Sequence, residues 1–410
     1  MAGLNTLVFN CGSSSLSYKV FGGTSAALPN VVLRGKAHRV GVQGSEPSFV
    51  EHRYGGQAHK DVLPIEDHRK AAALVFDFIG KHSIPIDWVG HRFVHGGSAF
   101  TASVVLGENT LATLRQCLPL APIHNPIALS VVNESRRTIP LERQYMAFDN
   151  AFHATIPPRA HAYLLPRAIN EKFGFRKYGF HGLSYSYVVK RTSEFLQLPI
   201  EGLRIVACHL GTGGASVAAI LGGRSIDTSM GYSPLTGLVM STRSGDVDPL
   251  LTVYLMAAHG YRPDEVMDLL NKKSGLLGIS GFSSDIGDII HHISDQEPSS
   301  DLAIRMYVHR LMKYVGSYVA ALGGLDVLVF TDDIGLRNPV IRQRVCAQMD
   351  WAGIVLDQRL NEGAPVDRIT NLRSAAGTAS ILTIPTDEEL VIFLEGTKLF
   401  APPEATRAPV

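Results

Sequence analysis

The sequence has almost no net charge, with 38 lysines and arginines against 37 aspartates and glutamates. No global field draws it to nucleic acid or to an acidic membrane, so any anion site has to be built locally. Cysteine is scarce: Cys11, Cys117, Cys208 and Cys346 are scattered, with no CxxC pair and no metal spacing. In a chain of 410 residues they read as reduced structural thiols in a reducing compartment. No run of about 18 apolar residues occurs, which argues against a membrane-spanning helix. The opening MAGLNTLVFNCGSSS lacks the basic leader and apolar core of a signal peptide, so the cytoplasm is the expected location.

What the chain has is apolar residues, 45% of the total, enough for two packed domains in a chain too long for one core. They fall in short runs that predict buried strands at Thr6–Phe9, Trp88–Gly90, Tyr145–Phe148, Ile205–Cys208 and Val327–Phe330. Each run ends in a polar or glycine-rich loop. Helical patterns lie between them, and Arg305–Leu322 shows apolar residues at 3–4 spacing before a stop at Gly323-Gly324. Strands interleaved with helices predict α/β layers, with function at the loops beyond the strand ends.

Two segments share one design. Residues 7–21, LVFNCGSSSLSYKVF, and residues 205–220, IVACHLGTGGASVAAI, each read as strand, small-residue loop and returning strand. Gly222-Gly223 then leads the second copy into a further strand at Arg224–Asp227. The repetition implies two related domains facing each other across a cleft. Two ordinary glycine hairpins would leave the same local pattern.

The chemistry suggested is phosphoryl transfer, which needs backbone N–H groups for phosphates, cations for the equatorial oxygens and an acceptor held in line. Gly12-Ser13-Ser14-Ser15 and Gly211-Thr212-Gly213-Gly214 are loops whose backbone can approach an anion, although tight hairpins also use glycine. Arg92 in GHRFVHGG and Arg243 in MSTRSGD are the candidate cations, since a guanidinium fork suits phosphate and carboxylate. His91, His95, His124, His153, His181 and His209 all read as loop residues converging on one polar cleft, without metal-ligand spacing. Asp149 closes the strand YMAFD, where an acid orients an acceptor or manages a proton, or else caps a turn. Thr386 to Glu389 reads as a capping box with Thr386 as N-cap, leaving Glu388 at a helix start.

Taken together, the strings NCGSSSL, GHRFVHGG, APIHNP, AFDNAFH, YGFHGLS, HLGTGG, DTSMGYSPLTGLVMSTRSGD, SGLLGIS and TDEELVI resemble the acetate kinase family over nearly the whole chain. The resemblance implies an α/β fold of the acetate and sugar kinase–actin superfamily, ribonuclease H-like, with two duplicated domains around a central cleft. Residues 1–149 plus a returning C-terminal helix at 389–405 would form the first domain and 150–388 the second, with a frayed Pro-rich tail after Leu399. It implies Asp149, His181 and Arg243 as catalytic residues and Arg92 as the substrate-binding arginine. Val94, Ile123, Phe180 and Pro234 would line an acetate methyl pocket. Asn10 and Glu388 would be associated with Mg2+. The phosphoryl-partner site would take in Ser17, His209, Leu210, Gly211, Thr212, Gly213, Asp285, Asp333 and Gly335. A homodimer follows from the family alone.

Departures from the family cluster at the nucleotide end. Phe330-Thr331-Asp332-Asp333-Ile334-Gly335 puts two acids where the family has flexible glycines. Ser17 stands for a lysine, Thr212 for an asparagine and Gly287 for an arginine. One carboxylate against one phosphate charge at about 4 Å costs roughly 1 kcal/mol in water and about 4 at an effective dielectric of 20. The pattern resembles the diphosphate-dependent branch, which interconverts acetyl phosphate plus orthophosphate with acetate plus diphosphate; Arg337 is a further cation near that end. An ATP-dependent acetate kinase with a divergent pocket is the alternative, and a non-catalytic two-domain clamp or a larger-acyl kinase are further readings.

Overall fold

The computed structural model describes residues 4–23, 29–42, 44, 46–293 and 298–400. Its contacts divide the chain into Met1–Ala151 with Asp387–Val410, and Phe152–Thr386. The Pro-rich tail and residues 401–405 of the expected final helix lie outside the described residues.

The first unit holds an eight-stranded sheet in the order β5-β4-β3-β2-β1-β6-β8-β7. Its strands are β1 (Asn5–Cys11), β2 (Ser15–Gly22), β3 (Asn30–His38), β4 (Phe49–Tyr54), β5 (Gln57–Val62), β6 (Trp88–Phe93), β7 (Val104–Val105) and β8 (Gln144–Phe148). The centre of the sheet is covered on both faces, which is why β1 and β8 read as continuous apolar runs. On one face Leu7, Phe9, Leu16 and Tyr18 meet Ala71, Val75 and Phe78 of the helix His68–Lys81. That helix is capped by Asp67, whose carboxylate accepts from the Lys70 N–H at 2.7 Å. Against the other lies the helix Glu388–Phe400, with Phe393 4.8 Å from Phe21.

The second unit holds a six-stranded sheet, β11-β10-β9-β12-β14-β13. These strands are β9 (Arg204–Leu210), β10 (Ala215–Leu221), β11 (Arg224–Thr228), β12 (Val327–Thr331), β13 (Thr370–Asn371) and β14 (Ser380–Ile384). The long helix begins at Pro298 rather than Arg305 and buries Ile304, Tyr307, Leu311, Val315 and Tyr318 at 3–4 spacing. Its first turn, Pro-Ser-Ser-Asp, carries no apolar periodicity, so only the proline marks the start.

The duplication is written in the topology. Order and strand direction agree between β3-β2-β1-β6-β8-β7 and β11-β10-β9-β12-β14-β13: antiparallel, antiparallel, parallel, parallel, antiparallel. Two independent hairpins would not share that sequence of pairings. The ends of β1 and β9, where the two glycine-rich loops start, are equivalent places in the two sheets.

Among the described residues no helix is long and apolar enough to cross a membrane. All four cysteines are free and buried.

Candidate active site

In the first unit, parallel pairing of β1, β6 and β8 brings their carboxyl ends together. Asn10 is near the end of β1, Arg92 near the end of β6, and Asp149 follows β8, its N–H donating to the Phe93 carbonyl at 3.0 Å. Arg92 grips Asp149 with two nitrogens: Nε donates at 3.0 and 3.1 Å and Nη2 at 2.6 Å. Nη1 donates to Asn10 Oδ1 at 3.0 Å and lies 3.7 Å from Glu388 Oε2. Asn10 Nδ2 in turn donates to Glu388 at 3.0 Å and Glu389 at 3.1 Å. Asp149 is 1% exposed. Burial alone would lower the Arg92 pKa, but Asp149 and Glu388 override it and raise it. The guanidinium is therefore a permanent cation facing a polar wall.

The Glu388 helix corrects the capping-box reading. Asp387, not Thr386, is the cap: its carboxylate accepts from the Leu390 N–H at 2.9 Å, and the Thr386 hydroxyl has no partner. Glu389 faces Asn10 and, at 3.5 Å, Lys19. Burial pushes its carboxyl pKa up, with Lys19 opposing.

The loop of GHRFVHGG is clamped by two asparagines that the sequence reading left out. Asn125 accepts from the His95 N–H at 3.2 Å and donates to the His95 carbonyl at 3.0 Å. Asn150 accepts from the Gly96 N–H at 2.9 Å and donates to the Gly97 carbonyl at 3.1 Å. Their signal was present in the strings HNP and DNAF, since a buried asparagine beside a glycine loop can satisfy backbone groups on both sides. Val94 is buried beside this loop, whereas Ile123, just before the helix His124–Ser135, is 55% exposed.

In the second unit His181 and Arg243 converge on Gly214. A Cβ added there would lie 3.2 Å from Arg243 Nη1 and 3.7 Å from His181 Nε2. His181 sits in the left-handed region at φ 59°, before the helix Gly182–Leu196. Its Nδ1 is 2.8 Å from the Ser216 hydroxyl, which also meets the Tyr185 hydroxyl at 2.6 Å. The rings of His181 and His209 stack at 4.1 Å. Arg243 donates to the carbonyls of Pro234 and Gly213, both at 3.0 Å, and burial lowers its pKa. Phe180 is buried next to this group.

The loop after Leu210 closes on itself: the Gly211 N–H donates to the Gly214 carbonyl at 3.1 Å and the Gly214 N–H to the Gly211 carbonyl at 3.3 Å. That pairing leaves out the N–H groups of Thr212 and Gly213. Asp332 lies 3.1 Å from His209 Nε2, and the Thr212 hydroxyl donates to Asp333 at 3.4 Å. Gly335 is buried in the helix Asp332–Arg337, and Arg337, its last residue, is exposed. Asp285 instead caps the helix Ile286–Ile293, accepting from the N–H groups of Gly287 and Asp288 at 2.8 and 3.0 Å. Ser17, on β2 opposite Asn10, belongs to the first unit.

One expectation fails. The six histidines are neither all in loops nor all site residues. His91 lies within β6, is 1% exposed, and donates from Nε2 to Gln144 at 2.9 Å. His153 donates from Nε2 to the Phe180 carbonyl at 2.9 Å, so Nδ1 accepts from the Ser225 hydroxyl at 2.7 Å. Burial pushes both pKa values down to about 4. These are neutral core residues, His91 bonded to the Gln144 side chain and His153 to the Phe180 backbone.

The family model described as the Acetokinase family matches residues 5–394. An acetate kinase of Caldicellulosiruptor saccharolyticus is 39% identical over 404 residues, covering 97% of this chain and 99% of that protein. The crystal structure of an acetate kinase from Entamoeba histolytica is similar with TM-score 0.87 and 43% identity, covering 97% of this chain and 99% of that one. A propionate kinase structure from Francisella tularensis gives 0.86 and 33%, with 96% and 98% covered.

Proposed function

The chain belongs to the acetokinase family, and from the two residue clusters just described we propose that it transfers a phosphoryl group directly between acetyl phosphate and a phosphate-bearing partner. The observation that carries this reading is the Arg92–Asp149–Asn10–Glu388 network, a half-buried cation hydrogen-bonded to a buried acid at three strand ends. Arg92 would hold the acetate carboxylate, with Asp149 fixing the guanidinium and managing a carboxyl proton. His181 and Arg243 would stabilise the charge on the phosphoryl oxygens as transfer proceeds. The four cysteines are buried with raised pKa values, Cys11 and Cys346 to about 12, which fits in-line transfer without a thiol nucleophile.

Asn10 Oδ1 and the Glu388 carboxylate are the oxygens that would hold a Mg2+ ion, Asn10 turning its oxygen from Arg92, from which it now accepts, towards the ion. Such an ion takes one or two protein oxygens and completes its shell with water and substrate phosphates. Among the described residues no cluster of three His, Cys, Asp or Glu side chains forms a metal cage, so these two groups would hold the ion together with the phosphates. When bound, it would neutralise phosphate charge.

For the partner, the curated relatives, named acetate kinase and 39–40% identical over 95–97% of this chain, favour the nucleotide reaction, ATP and acetate giving ADP and acetyl phosphate. We therefore propose the expected alternative, the nucleotide reaction, ahead of the diphosphate one, since none of these names marks a diphosphate branch. A specific observation favours the second reading, orthophosphate and diphosphate: Asp332 and Asp333 fill the loop facing His209 and Thr212. Supplying acetyl phosphate with either ADP or orthophosphate separates them. ATP formation with ADP alone supports the first, and diphosphate formation with orthophosphate alone the second. No turnover with either would overturn the phosphotransferase reading itself. A homodimer is supported by the helix Pro249–His259, which buries none of its residues and exposes Leu250, Leu251, Val253 and Tyr254. Sedimentation at monomer mass would sink it.

A further inference from the structure

β2, β3 and β4 share a face on which, among the described residues, Arg34, Lys36 and Arg53 make no contact with the phosphoryl-transfer residues, while Lys19 is linked to Asn10 through Glu389. Register places Lys19 opposite Arg34 and Arg34 opposite Arg53, three cations in one row across three strands. In the next row Lys36 lies between Ser17 and Glu51. The opposite face carries Tyr18, Gly35 and His52 in register, two of them buried, so the cationic row lies on the face that holds the helix Glu388–Phe400 at Lys19 and is open at Arg34 and Arg53.

Like charges directly across a sheet repel. Lys19 is neutralised by Asp387 at 2.6 Å and Glu389 at 3.5 Å. Arg34 and Arg53 are exposed, and neither has an ion pair among the described residues. Protection of a sheet edge does not account for them, because β5 is the edge and β3 and β4 are interior strands.

Two hollows flank this pair. One of about 360 Å³ is lined by Arg34, Arg53, Val32 and the left-handed Gly55-Gly56 turn. The other, of about 270 Å³, is lined by the same arginines with Lys19, Lys36 and Glu51. The guanidiniums thus stand between two open spaces, able to reach into either.

We propose that Arg34 and Arg53 form a second anion site, for a small anion with at least two phosphate groups. Neighbouring strands are about 4.8 Å apart, so one phosphate reaches both guanidinium forks while a second reaches Lys36 or Lys19. A long polyanion is disfavoured: the row is only three cations wide, Glu51 and Glu389 bound the second hollow, and the chain's net charge is +1. The site is separate from Arg92 and Arg243 and stands whichever phosphoryl partner the enzyme uses.

The test is calorimetric titration of the full chain with inorganic diphosphate at about 0.15 M salt, in wild type and in the double variant R34Q/R53Q. The double variant is expected to bind one equivalent fewer per chain, with kcat for acetyl phosphate turnover within about twofold of wild type. R34K/R53K should retain that equivalent at lower affinity, because lysine lacks the fork. Equal stoichiometry in wild type and R34Q/R53Q overturns the proposal. So does a site that takes sulfate as tightly as diphosphate, or a single-stranded oligonucleotide more tightly. Loss of turnover in R34Q/R53Q with unchanged diphosphate stoichiometry also counts against it, without touching the assignment of Arg92 and Arg243.

Discussion

Asp332 holds its carboxylate 3.1 Å from Nε2 of His209 while its own backbone sits in the left-handed region at φ 65°. That conformation costs a residue with a side chain about 1 kcal/mol, and glycine almost nothing. The acid is kept there against its backbone preference, and its side chain packs over Gly211, where an added Cβ would collide with it. Removing it tests what it excludes. Asp332→Gly with Asp333→Gly is expected to lower KM for ADP about tenfold, the effect of about 1.4 kcal/mol of relieved repulsion. Unchanged ADP kinetics in steady-state assays would show that the two acids do not obstruct a nucleotide.

Arg92→Ala leaves Asp149 buried without its guanidinium. Denaturant unfolding should show a loss of about 3–5 kcal/mol. Adding Asp149→Asn should recover part of that stability but none of the activity with acetyl phosphate. If the double variant is no more stable than Arg92→Ala, the buried Asp149 charge is not the source of the loss.

Ser216→Ala removes the hydroxyl beside His181 Nδ1. A hydrogen bond worth about 1 kcal/mol predicts a kcat roughly fivefold lower. KM for acetyl phosphate should stay close to wild type, since Arg92 is untouched. An equal rise in KM would instead place Ser216 in substrate binding.

Stability should decline on mild acidification. His153 has an ordinary pKa of 6.5 when unfolded and about 4 when folded, because burial disfavours the imidazolium. The unfolded chain therefore binds the extra proton between those values, so the stabilisation is complete above pH 6.5 and is lost as pH falls towards 4. One such group contributes at most roughly 3 kcal/mol. His91 and His52 are shifted in the same direction. Denaturant titrations between pH 7 and 5 should show a shallower slope in His153→Gln than in wild type, and equal slopes would remove His153 as a cause.

Asp387→Ala should cost about 1 kcal/mol from the lost cap of the final helix, with the Lys19 pairing also lost. Thr386→Ala should be close to neutral. Thermal unfolding distinguishes the two, and the reverse ranking would restore the Thr386 capping box.

Much of the fold is legible in the residues themselves. The runs around Leu7, Val89, Met146, Val206 and Leu328 are strands because chain buried on both faces has to be apolar at successive positions. The glycine loops mark the turns. The helix ending at Leu322 is readable from Tyr307, Leu311 and Val315, yet its start is not, because the first turn is polar. His91 and His181 cannot be ranked by local composition, since both stand beside a glycine and within two residues of a phenylalanine. Only the neighbours, Gln144 in one case and Ser216 with the His209 ring in the other, make one a core group and the other a site group.

The sequence by itself determined the α/β layering, the two glycine hairpins and the set of polar residues available for chemistry, because strand periodicity and turn residues act over a few neighbours, while the shared strand order made those hairpins a duplication. Tertiary structure alone decided the partners. Asn10 meets Glu388 across 378 positions, and Arg34 meets Arg53 only through the register of a sheet. Such contacts depend on which strands pair and in what alignment, and no local stretch of chain carries that information.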